Sequence, residues 1–179
     1  MIKPKGGNMD IKTVRFLAEY NRIANEKMNA LIRTLDDGQW TRKFGGYFSS
    51  IRSLCNHLYI SDFNWLKRFS LLRSFEYIKD ELFLREIKFG DHAIESREEY
   101  LKNRVAMDIF LKSFAGEITE QDLGMNLRYK DSRGGDHNQD FGLVILHVFN
   151  HQTHHRGMVS IYLEEMGIEN DYSNIMDIL

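Results

Sequence analysis

Between Phe149 and Gly157 the chain reads FNHQTHHRG, and His147 lies just upstream. His147, His151, His154 and His155 make up four of its seven histidines. A neutral imidazole nitrogen binds divalent cations, and the ring takes up and releases protons near neutral pH. On a helix, residues four apart lie nearly above one another, so His151 and His155 face the same way. His147 and His151 form a second such pair, and His154 occupies a neighbouring face. Spacing alone does not choose among them. The H-x-x-x-H spacing is shared with H-E-x-x-H metalloprotease helices, but Gln152 stands where those have glutamate, and an amide cannot serve as the base. The competing reading is a polar edge on an apolar helix. Burying several imidazoles without partners is costly, which raises the weight of metal binding.

A third ligand has to come from elsewhere. His57, in Leu54-Cys55-Asn56-His57-Leu58-Tyr59, lies at the edge of an apolar helical side and is the best placed. His92 and His137 fall in expected loops beside Asp91 and Asp136 and read as surface residues. Three imidazoles with one open position form a centre of the catalytic type, and both zinc and nickel suit imidazole. The open position takes water or an anionic thiol, and either loses its proton more readily beside a cation. Cys55 is two residues from His57, on nearly the opposite side of a helix, and reads as a small core residue. Gly134, Gly135 and Gly142 follow no phosphate-loop pattern. Trp40 and Trp65 read as core anchors, with Trp65 also able to line a pocket.

Four long helices must position these side chains. The first is expected over Asp10–Asp36, with Val14, Leu17, Ala24, Met28, Leu31, Ile32 and Leu35 at helical spacing and Asp37-Gly38 as its stop. The second starts at Ser49 or Ser50 and carries Ile51, Leu54, Leu58, Trp65, Leu66 and Phe69. The third opens on a Ser96-Arg97-Glu98-Glu99 capping box, runs through Tyr100, Leu101, Val105, Ile109, Phe110 and Phe114, and closes at Gly116. The fourth opens near Asp140, carries Leu143, Leu146, Val148, Met158, Val159, Tyr162 and Leu163, and closes at Gly167. Residues 70–95 are mixed, part helical and part a lid or dimer contact. Met125–Tyr129 is a strand candidate before a turn at 131–136, which suggests a small hairpin. The whole reads as an all-α bundle, a fold whose interior can hold a metal between facing helices.

Length and charge narrow the function. A chain of 179 residues with 42% hydrophobic content fits one domain with its own core, taken here as 10–179. Residues 1–9 read as a disordered leader or expression remnant. The net charge of −2 and the absence of a basic stripe argue against nucleic acid as a partner. No run approaches the length of a membrane span, and no signal peptide is visible. The single cysteine excludes an internal disulfide and favours a cytoplasmic setting.

Two blocks together resemble the DinB/YfiT family of metal-dependent enzymes. Ile51-Arg52-Ser53-Leu54-Cys55-Asn56-His57-Leu58, followed by Trp65-Leu66, is similar to that family's second-helix block. His147 to Gly157 is similar to its last-helix signature and is the more specific of the two. The resemblance implies an up-down-down-up four-helix bundle with a β-hairpin before the last helix. It implies a divalent metal, zinc or nickel, on His57, His151 and His155, with His147 and His154 outside the usual ligand set. It also implies a homodimer and a small-molecule thiol or electrophile as partner, since some relatives use low-molecular-weight thiols such as bacillithiol. Met158 departs from the glutamine that often follows the family's Arg-Gly pair. Arg156 either meets a substrate anion or ties its helix to a neighbour. Thiol S-transfer is the expected reaction, with no catalytic base identified. A non-catalytic bundle with a structural metal and a metal-dependent hydrolase are the alternatives.

Overall fold

Asp10, Ser50, Ser96 and Asp140 each accept a hydrogen bond from the backbone N–H three residues on. Each thereby satisfies one of the free donors at a helix start. The structure is a computed structural model that describes residues 9–178. Its helices and strands in chain order are α1 (Ile11–Thr34), α2 (Asp37–Thr41), α3 (Ile51–Phe69), α4 (Arg97–Glu117), α5 (Glu120–Leu123), β1 (Asn126–Lys130), β2 (Asp136–Asp140) and α6 (Phe141–Glu164). The expected leader lies outside the described residues except for Met9, which packs against the core.

Several expected boundaries move. Helix α1 ends at Thr34, and Asp37-Gly38 belongs to the one-turn α2, which Asp36 and Gln39 cap reciprocally. The Ser96 box is only half formed, because the Glu99 carboxylate accepts from Glu95 rather than Ser96. Gly116 lies inside α4, whose cap is Ile118. Gly167 does close α6: its φ of 76° lets Ile168 N–H reach the Leu163 carbonyl and Gly167 N–H the Glu164 carbonyl.

The four long helices form one bundle. Arg15 reaches Ala115 while Asn21 and Asn25 reach Asp108, so α1 and α4 run antiparallel. Asp62 meets Arg104 and Phe69 meets Phe114, so α3 and α4 run parallel. His57 meets His155 and Trp65 meets His147, so α3 and α6 run antiparallel. That order is up-down-down-up. Parallel neighbours need a long connection, and residues 70–96 supply it. This segment contains two 3₁₀ turns, Glu76–Lys79 and Glu81–Leu84, and buries Phe75, Tyr77, Phe83, Ile87 and Ile94. The side chains of Asn56, Asn64 and Lys67 on α3 bind its backbone at Asp91, Ala93, Ile94, Ile87 and Arg85. The hairpin pairs Tyr129 with His137, so His137 lies on a strand rather than in a loop.

The apolar faces expected of α4 and α6 are partly wrong. Val105, Ile109, Leu143 and Leu146 are about half exposed. At the level of Val105 and Ile109, α4 instead buries Arg104 and Asp108. Arg104 pairs with Asp62 at 2.6 Å, an ion pair without hydrogen-bond alignment, and donates to Asp108 at 3.1 Å. Asn21 and Asn25 also donate to Asp108. From α6, Gln152 donates to Asp62 and Arg156 donates to Asn21 and Asn25. All four long helices therefore contribute to one buried polar network. Burial pushes the Asp108 carboxyl up to about 6, against the pull of Arg104 and Asn25. Removing one member leaves buried charge unpaired, which costs about 3–5 kcal/mol. Arg104→Met is expected to lose stability of that order in urea unfolding, and a loss below about 1 kcal/mol would remove the network from the account.

Candidate metal centre

Gln152 and Arg156 lie four apart and both point into the network, which sets the rotation of α6. The residues one position earlier, His151 and His155, are then turned toward α3. On α3 the same logic holds for Leu58 and Asp62, whose buried stripe leaves His57 beside it. The three histidines meet there. One ring nitrogen from each lies within 4.8 Å of the others. The Nε2 atoms of His57 and His151 are 2.9 Å apart, and the rings of His151 and His155 are 4.3 Å apart, centre to centre.

The loop before α3 covers one side of the trio. Phe48 stacks on His57 at 4.4 Å and meets His155 edge-on. The Tyr162 hydroxyl of α6 donates to the Phe48 carbonyl at 2.9 Å, and its ring stacks on Phe44. Gly46 permits this approach, since a Cβ there would collide with the Tyr162 hydroxyl. Nothing in the sequence pattern had singled out Phe48, Gly46 or Tyr162 for this part.

All three imidazoles are held neutral. Burial lowers His57. Burial, then the nearby His155 and His57, lowers His151 to about 3. Burial, then His57 and His154, lowers His155 to about 4. Neutral imidazole is the form that binds a cation. The Nδ1 atom of His155 is buried without a hydrogen-bonding partner, so the protein alone leaves this ring unsatisfied. The donor set therefore fits a divalent ion.

Two clefts reach the trio. One, of about 610 Å³, adjoins His57 and is bordered by Lys43, Arg52, Phe89 and Asp91. The other, of about 250 Å³, adjoins His151 and is bordered by Trp65, Arg68, Phe89, Tyr129 and His147. Trp65 thus lines a pocket as well as anchoring the core. His147 is exposed against Trp65, and His154 is exposed beside His155; neither joins the trio. His92 is exposed in a loop. His137 pairs with Asp131 and stacks on Tyr129. Cys55 is fully buried, its thiol pushed up to about 12 by that burial. Arg156 is fully buried and ties α6 to α1 through Asn21 and Asn25.

The DinB family profile matches residues 9–177. The chain belongs to the DinB family. Protein DinB of Bacillus subtilis (strain 168) is 25% identical over 157 residues, which is 84% of either chain. YfiT from Bacillus subtilis, described as a probable metal-dependent hydrolase with an unusual four-helix bundle topology, superposes with a TM-score of 0.67. That likeness covers 94% of this chain and 95% of the other at 17% identity, so it speaks to the fold. Among the described residues, no helix of this DinB-family chain is long and apolar enough to cross a membrane.

The lowered histidines have a consequence for the metal-free protein. Their folded values lie below the ordinary 6.5, so between those limits the unfolded chain binds more protons. The stability they contribute is present above pH 6.5 and is lost as pH falls toward 4 and then 3. The melting temperature of metal-free protein is expected to fall from pH 7 to pH 5 more steeply than that of a His151→Gln/His155→Gln variant. Parallel profiles for the two proteins would contradict the shifts.

Proposed function

We propose that this chain is a metal-dependent enzyme whose divalent ion is held by His57, His151 and His155, and that it transfers a low-molecular-weight thiol such as bacillithiol to an electrophile. The observation that carries this reading is the meeting of three neutral imidazoles within 4.8 Å, with no carboxylate or thiolate among them. A bound divalent ion there supplies a Lewis acid that no ligand charge offsets, and so favours an anion at its open side. The two clefts give access to His57 and His151. Phe48 shields His57 and limits water on one flank.

The absence of an acid within the trio bears on the nucleophile. Thiols ordinarily lose their proton near pH 8.5, whereas water does so near 15.7. A site without a neighbouring base has much less to do for a thiol. In the reaction, the thiol proton leaves to solvent, the sulfur forms a bond to the electrophilic carbon, and that carbon's leaving group departs with its bonding pair. His57, His151 and His155 hold the reacting centre in place, and the buried network holds their helices. Hydrolysis is the second reading, favoured by the likeness to YfiT.

Protein purified without a histidine tag and loaded with zinc or nickel is expected to retain one ion per chain. His151→Ala/His155→Ala is expected to lose more affinity than the about 10–100-fold typical of changes outside the ligand shell. Equal, negligible metal in both proteins would overturn the site. Metal-dependent conjugation of bacillithiol to a haloalkane dye is expected of the wild type. Its absence alongside metal-dependent ester cleavage would replace transfer with hydrolysis.

A further inference from the structure

Arg68 is the one strong cation of the cleft beside His151. It is half-buried, and its guanidinium lies 4.8 Å from the Trp65 ring, 5.4 Å from Tyr129 and 5.6 Å from Phe89. A half-buried arginine usually spends its fixed fork of N–H donors on carboxylates or carbonyls. Among the described residues Arg68 makes no ion pair, and aromatic rings pack around it instead. Arg73, just past the end of the same helix, is ordinary by contrast: it binds Asp122 and two backbone carbonyls. The nearest acid, Asp131, already accepts from His137 and from the backbone N–H groups of Arg133 and Gly135.

Arg68 and His57 are eleven residues apart on α3, which returns them to nearly the same face. Their Cα atoms are separated by about 16 Å along the axis, and the longer arginine side chain reaches back over Trp65 toward the N-terminus, which shortens the gap between the groups. Trp65 and His147 lie between them, 5.5 Å apart. The cleft thus runs from a cation with free edges to the histidine trio.

We propose that Arg68 is an oxyanion-recognition residue, and that the substrate carries a carboxylate or phosphate several bonds from its reacting atom. This deepens the reading of the trio as the reacting centre and rests on it. Three aromatic rings surround the guanidinium and restrict its motion, so less freedom is lost when the anion arrives. A planar fork matches two oxygens at once, a geometry that lysine cannot supply.

Binding to metal-free protein, followed by calorimetry and by the fluorescence of a Trp40→Phe background in which Trp65 is the single tryptophan, tests the assignment apart from metal and activity. Hexanoate is expected to bind at least about tenfold tighter than hexanol, the low end for a hydrogen bond to a charged group. Arg68→Gln is expected to erase that preference with an unchanged circular dichroism spectrum. Arg68→Lys is expected to keep only part of it, and decides the matter if the glutamine variant does not fold. A wild type without the preference, or a variant that keeps it whole, overturns the proposal. Competition by inorganic phosphate against hexanoate identifies which oxyanion is preferred. In zinc-loaded protein, 6-mercaptohexanoate is expected to bind tighter than hexanoate. If the thiol adds nothing while the hexanoate preference stands, the thiol reading of the trio fails and the role of Arg68 survives.

Discussion

Charge buried at the centre of the bundle must be paired, and this constraint governs the rest of the structure. Arg104, Asp62, Asp108 and Arg156 are all buried, two of each sign, and they come from three helices. Asn21 and Asn25 bring in the fourth. An apolar core tolerates small slips between helices, because one methyl group replaces another at little cost. A guanidinium does not tolerate them. A slip of one residue on α6 would withdraw Gln152 from Asp62 and Arg156 from both asparagines. The network is best understood as a device of register, the use for which buried polar groups are best attested.

The histidine trio inherits that register. His151 and His155 each precede a network residue by one position, and His57 lies one position before the buried stripe of Leu58 and Asp62. Any arrangement that satisfies the buried charges brings the three rings together. The work of placement is done by hydrogen bonds and ion pairs on the inner side of each helix, so the rings remain available on the other. Phe48, stacked on His57 and fastened through Tyr162, closes the flank that the helices leave open. The connection from α3 to α4, pinned by Asn56, forms the far wall of both clefts.

Much of this was legible in the sequence. Asp10, Ser50, Ser96 and Asp140 announce helix starts by a local mechanism, and all four helices begin there. Gly167 announces an end in the same way. The choice of His57 over His92 and His137 came from an apolar side and a family resemblance, and the trio does contain it. The network was not legible. Arg104 and Asp108 are four apart on a helix, where such pairs are ordinarily solvent-exposed, and the adjacent Val105 and Ile109 imitate a core face. Leu143 and Leu146 misled for a related reason, since α6 is apolar on nearly every side near its start. Arg68, next to Lys67 in the last turn of α3, reads as a charge placed to meet the helix dipole. Only the packing of three aromatic rings around it sets it apart. Phe48 and Gly46 sit in an irregular loop, where no periodicity ties a residue to what it covers.

The central claim is that the packing of four helices creates a three-imidazole centre open on its remaining side. A crystal structure of zinc-loaded protein, with the ion located by its anomalous scattering, tests it most directly. The account predicts one ion per chain, within about 2.0–2.1 Å of one nitrogen from each of His57, His151 and His155, with no other side chain bound. An ion placed instead at His147 and His137, or closed off by a fourth protein ligand, would contradict it.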